Sequence, residues 1–174
     1  MSQNAHRKIF EETVGSLAPE SILDAGSGRT SLSLLCALFP RAKIDAVIFP
    51  GDERKKKSVG SVGADFELIE VDIAKADFQK TYDLVVLHLL LGEAVKWGNS
   101  VPALLEKLFP CAKKHIMVAD FPEDPEIDFA LIERLAAEHG FKAVKTTTQP
   151  SEPPFDGKIF QGNFYRAVLF ESAH

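Results

Sequence analysis

The residues best suited to chemistry form a glycine turn near the start of the sequence. Asp24 ends a short apolar run that begins at Ser21, and Gly26 and Gly28 follow before an amphipathic stretch that begins at Ser31. Glycines let a backbone approach a ligand without a Cβ and permit positive φ. A helix that starts there presents unpaired N–H groups. In an open α/β sheet this turn lies at the carboxyl ends of the strands, so the pattern predicts a ligand-binding turn.

Three kinds of ligand use turns of this type, and the neighbouring residues discriminate between them. A nucleoside triphosphate loop requires Gly-Lys-Ser/Thr, which this turn lacks. The dinucleotide fingerprint G-x-G-x-x-G fails because Ser31 stands at its third glycine and no acidic residue ends the second predicted strand. S-adenosylmethionine is the third ligand.

The segment 24–28, Asp-Ala-Gly-Ser-Gly, resembles the Asp-x-Gly-x-Gly motif I of class I S-adenosylmethionine-dependent methyltransferases. Segment 70–73 (Glu-Val-Asp-Ile) is similar to that family's acidic position after strand three, which contacts adenine, and 82–87 (Tyr-Asp-Leu-Val-Val-Leu) is similar to its fourth-strand motif. The resemblance implies a methyltransferase with S-adenosyl-L-methionine as cofactor. The cofactor-binding residues it implies are Asp24, Ala25, Gly26, Ser27, Gly28, Ile48, Phe49, Asp72, Ile73, Leu87 and His88.

Two positions depart from that family's pattern. Thr30 replaces the third glycine of Gly-x-Gly-x-Gly, and Ile48 stands where the family has an acid for the ribose hydroxyls. Isoleucine accepts no hydrogen bond, and losing a bond to a charged group weakens binding by ~1.5–3 kcal/mol. Asp52 and Glu53, just past the second strand, are the two candidates to replace that acid.

A histidine is the main candidate for the methyl-transfer step. His88 interrupts an apolar strand near its carboxyl end, and an imidazole that titrates near neutral pH suits a general base. We therefore expect His88 to be catalytic; the alternative is a half-buried histidine that bonds to backbone or lines the pocket. Glu93, Trp97, Asp120 and Phe121 follow strands four and five and are candidates for acceptor contacts, although each also fits a purely structural role.

The remaining charged and metal-binding residue types point to no site. Residues 54–57, Arg-Lys-Lys-Lys, stand beside acidic residues and are expected to form a solvated helix face. The other histidines, His6, His115, His139 and His174, show no metal-ligand spacing, so we expect no metal.

The elements that must position these residues alternate along the chain. Strands are predicted at 21–24, 43–49, 66–71, 82–89, 115–119, 141–147 and 163–170, and helices at 3–17, 31–39, 52–59, 100–114 and 124–139. This alternation predicts an α/β fold, a doubly wound, Rossmann-like, seven-stranded sheet that is mostly parallel, with an antiparallel C-terminal hairpin. We expect residues 1–174 to form a single methyltransferase-like domain, with an N-terminal helix in 1–18 and the Rossmann-like core in 19–174.

Composition narrows the class of partner. The chain is 45% hydrophobic with a net charge of −5, which indicates a soluble protein and argues against nucleic acid. Cys36 and Cys111 form no CxxC pair, which favours a reducing compartment. Residues 1–10 lack the apolar core of a secretory signal, and no apolar run approaches the ~20 residues of a membrane span. We therefore expect a cytoplasmic protein without membrane contact.

The leading hypothesis is methyl transfer to a small-molecule acceptor. An RNA methyltransferase is one alternative. A degenerate methyltransferase-like domain that serves as a binding or interaction module is another, and Ile48 is its main support. A nicotinamide oxidoreductase fits less well because the third glycine is missing. The acceptor and the oligomeric state stay open, and a homo-oligomer is compatible with the sequence.

Overall fold

The computed structural model describes residues 2–150 and 164–174. The strands in these ranges are β1 Ser21–Ala25, β2 Lys43–Ile48, β3 Glu67–Glu70, β4 Tyr82–His88, β5 Ala112–Asp120, β6 Phe141–Pro150 and β7 Phe164–Ser172. The helices are α1 Ser2–Val14, α2 Arg29–Leu38, α3 Glu53–Gly60, α4 Leu90–Lys96, α5 Val101–Leu108 and α6 Phe129–Glu138, and a 3₁₀ turn spans Phe109–Cys111.

All seven strands join one sheet in the order β3-β2-β1-β4-β5-β7-β6. β1 to β5 run parallel, and β7 runs antiparallel to both of its neighbours, β5 and β6. The predicted α/β sheet with its antiparallel C-terminal pair is therefore confirmed. The strand order reverses between β1 and β4, and this reversal opens a crevice at the carboxyl ends of these strands.

Two apolar layers cover the two faces of the sheet, and alternate side chains of each strand pack into one layer or the other. In β4, Val85 and Leu87 pack with α4, α5 and α6, whereas Leu84 and Val86 pack with α1 and α2. A strand buried on both faces needs a continuous apolar run, which explains the composition of β4. The end of that run, at His88, is only partly buried.

Two helix boundaries differ from the sequence prediction by five residues or more. The helix predicted at 100–114 ends at Leu108, because Pro110 has no N–H to continue it, and residues 112–114 join β5. The helix predicted from Asp124 begins at Phe129, capped by Asp128, whose Oδ1 accepts from the N–H groups of residues 130 and 131. Asp124 instead accepts from the N–H of Glu126 in the preceding turn.

Candidate functional site

The turn after β1 holds a fully buried carboxylate. Asp24 Oδ2 accepts hydrogen bonds from Ser27 Oγ at 2.6 Å and Ser31 Oγ at 2.8 Å. Within the described ranges, Asp24 Oδ1 has no hydrogen-bond partner. Burial raises the pKa of Asp24 to about 6, although the two serines and the charge of Lys55 act to lower it. The turn therefore carries an acceptor oxygen that its own residues do not use.

The two glycines of this turn have different roles. Gly26 has φ +72°, and a Cβ there would lie 2.5 Å from Cδ1 of Leu90. Gly28 caps α2 with φ −126°, and no atom lies within 4 Å of a Cβ built there. At Gly26 the missing side chain makes room for Leu90, and that both glycines leave room for a ligand stays a prediction.

A cleft opens beside this turn at the carboxyl ends of β1, β2 and β3. Its free volume is about 60 Å³, well below the ~300–1,000 Å³ of typical ligand pockets. Leu90 and Trp97, on and after α4, form one wall. The cleft is lined by Gly26, Phe49, Lys55, Val71, Asp72, Ile73, Ala74, Leu90, Glu93, Ala94, Trp97, Asn99 and Leu104.

Four of the predicted cofactor residues line this cleft, namely Gly26, Phe49, Asp72 and Ile73. They come from three chain segments, after β1, β2 and β3, that the fold brings together. Ala25, Ile48 and Leu87 are instead fully buried in the two apolar layers. Because side chains alternate along β2, Ile48 points into the core and its successor Phe49 faces the cleft.

Neither predicted replacement for the ribose acid lines the cleft. Asp52 caps α3, and its Oδ1 accepts from the N–H of Lys55 at 2.9 Å. Glu53 is exposed in the first turn of α3. Both residues serve the helix start, as acidic residues there commonly do.

Two contacts cross the mouth of the cleft. Lys55 Nζ on α3 and Glu93 Oε2 on α4 form an ion pair at 2.9 Å. The rings of Phe49 and Trp97 stack with centroids 5.5 Å apart, although the two residues are 43% and 68% exposed. Lys56 also pairs with Glu70. The expectation of a solvated basic face at 54–57 therefore needs correction at Lys55, which lines the cleft, whereas Lys56 stays at the surface.

His88 belongs to a cluster of aromatic side chains at the end of β4. Its Nε2 lies 2.9 Å from Nδ1 of His6 on α1, and Nε2 of His6 lies 3.1 Å from the hydroxyl of Tyr165 on β7. The rings of Phe10 and Phe121 stack or pack edge-on against this group. His6 and Tyr165 were not predicted; a signal for His6 was its position one turn before Phe10 on the buried face of α1.

Both histidines of this cluster are neutral at neutral pH. Burial lowers the pKa of His88 to about 3, with smaller effects from His6 and the charge of Lys55. Burial alone lowers the pKa of His6 to about 4. An imidazole with so low a pKa is a weak base. At pH 7 each ring therefore acts as a neutral donor or acceptor of hydrogen bonds.

The residue after His88 and the end of β5 complete this edge of the sheet. Leu89 has φ +57°, a conformation that a branched side chain rarely adopts. Asp120 accepts from the N–H groups of Gly92 at 3.2 Å and Phe121 at 2.9 Å. Burial, and to a smaller extent Asp124, raises the pKa of Asp120 to about 6. Asp120 thus ties α4 to β5.

The fourth-strand motif lies away from this edge. Asp83, near the amino end of β4, accepts from the N–H of Glu20 at 2.9 Å and pairs with Lys114 at 3.3 Å. Its contacts are structural. Over residues 2–150 and 164–174, no helix is long and apolar enough to cross a bilayer, and no group of three or more potential metal ligands occurs.

No protein-family model matches the chain, and no curated protein sequence matches it. Its fold is nevertheless found in solved structures of methyltransferases. The N-methyltransferase NodS from Bradyrhizobium japonicum, solved with S-adenosylhomocysteine, superposes with a TM-score of 0.72 at 10% identity, over 99% of this chain and 87% of that one. A proposed RNA methyltransferase from Pyrococcus horikoshii gives 0.70 at 18% identity, over 99% and 84%.

A third solved structure is the 1,6-didemethyltoxoflavin-N1-methyltransferase from Burkholderia thailandensis, with bound 1,6-didemethyltoxoflavin and S-adenosylhomocysteine. It gives a TM-score of 0.67 at 13% identity, over 99% of this chain and 79% of that one. The chain therefore has the class I methyltransferase fold, as its motifs predicted. At these identities the likeness concerns the fold alone.

Proposed function

We propose that the protein is an S-adenosylmethionine-dependent methyltransferase that acts on a small-molecule acceptor. The observation that supports this most is the meeting of Gly26, Phe49, Asp72 and Ile73 in one cleft. The motif resemblance predicts all four as cofactor residues, and they follow three different strands. The cleft also lies beside the reversal of strand order, where open α/β sheets bind ligands.

The cleft fits this cofactor in the chemical type of its residues. Asp72 offers a carboxylate for the adenine amino group, and Val71, Ile73 and Ala74 offer apolar contact to the ring. Asp24 Oδ1 is an unused acceptor buried in the neighbouring turn. The free volume of about 60 Å³ requires that Leu90 and Trp97 move aside on binding. Closing and opening of such walls is common around ligands.

When bound, S-adenosylmethionine supplies an electrophilic methyl group on a sulfonium. The task of the chain is then to hold an acceptor in line and to exclude water. His88 is the partly exposed member of its cluster. Because its pKa is about 3, we assign it to orienting the acceptor by a neutral hydrogen bond, with only weak basicity. The contact between Nδ1 of His6 and Nε2 of His88 holds the ring of His88 in place.

A small acceptor is favoured over RNA for two reasons. The net charge is −5, and the cleft-facing Lys55 is already paired with Glu93. The surroundings of His88 are aromatic, with His6, Phe10 and Tyr165 in contact or close by. Aromatic side chains suit an apolar or ring-shaped acceptor.

A second function is favoured by one observation. Leu90 packs directly on Gly26 and keeps the cleft narrow, as expected of a methyltransferase-like domain that has lost the cofactor and serves as an interaction module. Calorimetric titration with S-adenosylmethionine, S-adenosylhomocysteine and NAD distinguishes the two functions. The enzyme binds both adenosyl ligands with micromolar affinity and ignores NAD. Absence of binding with all three ligands contradicts the methyltransferase proposal and supports the interaction module.

A further inference from the structure

The cleft contains an acidic residue that no motif assigns to the ribose. Among the described residues that line it, two carry carboxylates, Asp72 and Glu93. Asp72 follows β3 and serves the adenine amino group in the proposed function; its Oδ1 also accepts from the N–H of Ala74, and its Oδ2 pairs with Lys75. Glu93 lies on α4, whose residues Leu90 and Ala94 also line the cleft, and its side chain is 38% exposed.

The end of β2 offers no carboxylate to this cleft. Ile48 is buried in the core, and Phe49 faces the cleft in its place. Asp52 is engaged in capping α3. A ribose diol between the Gly26 turn and Phe49 therefore needs an acceptor from another element, and α4 is the element that faces it.

We infer that Glu93 binds the ribose hydroxyls of the adenosyl ligand, in place of the acid that is absent from the end of β2; this rests on the proposed function. The ion pair with Lys55 uses Glu93 Oε2, and a carboxylate has about four acceptor sites. Hydroxyl donors can therefore bind Glu93 while the ion pair with Lys55 orients its carboxylate. Lys55 is a positioning residue, held in turn by the capped start of α3.

The test is a cycle of protein and ligand changes, read as dissociation constants by calorimetry. The ligands are S-adenosylhomocysteine and its 2′-deoxy and 3′-deoxy forms. In the native protein, removal of a hydroxyl is expected to weaken binding about ten- to a hundredfold, as for one hydrogen bond to a charged group. In Glu93→Ala the deoxy ligands are expected to bind within about threefold of the parent ligand, and Glu93→Gln is expected to fall between.

Two matched variants serve as controls, and circular dichroism verifies the fold of each. Glu53→Ala and Asp52→Asn alter the two acids that the sequence suggested, and both are expected to keep the native preference for the full diol. The inference is overturned if Glu93→Ala keeps the native preference for the full diol, whatever the two control variants do. It is also overturned if the native protein binds S-adenosylhomocysteine without discriminating the deoxy forms. If the native protein does not bind S-adenosylhomocysteine at all, the proposed function itself fails.

Discussion

Replacing Gly26 by alanine tests the packing of α4 on the glycine turn. The new methyl group would lie 2.5 Å from Cδ1 of Leu90, far inside the ~3.5–4.0 Å of a normal carbon contact. Moving Leu90 aside costs ~1–3 kcal/mol, as overpacking of a core does. The φ of +72° adds ~1–2 kcal/mol for a residue with a Cβ. We expect urea denaturation to show a loss of ~2–5 kcal/mol in the free energy of unfolding.

Two further variants separate the causes. Gly28→Ala is the matched control, because its φ is negative and no atom lies within 4 Å of the added carbon; its stability is expected to change by less than ~1 kcal/mol. In the double variant Gly26→Ala/Leu90→Ala, the combined loss is expected to be smaller than the sum of the single losses, because the clash disappears. A loss below ~1 kcal/mol for Gly26→Ala alone, or strict additivity in the double variant, would refute this description of the turn.

Three other predictions concern charge and hydrogen bonding. Histidine in the unfolded chain takes up a proton near pH 6.5, whereas the pKa of folded His88 is about 3. Because only the unfolded state binds this proton, the free energy of unfolding falls as the pH drops below 6.5. His88→Gln is therefore expected to lose less stability than the native protein between pH 7 and 4.5 in acid denaturation series. Asp83→Ala removes the acceptor for the N–H of Glu20 and is expected to cost ~1–3 kcal/mol in chemical denaturation, with binding of S-adenosylhomocysteine unchanged. Ser31→Ala removes a hydrogen bond to Asp24, which is expected to raise the pKa of that carboxyl above 6 in a carbon NMR titration.

The sequence predicted the sheet well because its signals are local. Apolar runs of strand length and the Asp-x-Gly-x-Gly turn each lie within about ten residues, and the seven predicted strands overlap the seven that form. The misplaced start of α6 had a different cause. The sequence around 124–128 offers two aspartates that could cap a helix, and only packing of Ile127 and Phe129 into the core selects the second one.

The contacts within the site were out of reach because they join distant segments. The His6–His88 and Lys55–Glu93 contacts span 82 and 38 residues, and no periodicity records such pairs. The packing of Leu90 on Gly26 depends on the short helix α4. That helix begins directly after Leu89, which has a left-handed conformation, and no common capping rule predicts such a start. The alternation of β2, by contrast, could have shown that Ile48 and Phe49 face opposite sides.

The position of β7 inside the sheet governs how the molecule can fold. β7 is the final strand in sequence among the seven, yet it separates β5 from β6. A nascent chain therefore has no strand beside β6 until residues of β7 have been synthesised. The contact between His6 and Tyr165 spans 159 residues, and such long-range closures slow folding. The contact between His6 and Tyr165 is thus made only after β7 has been translated.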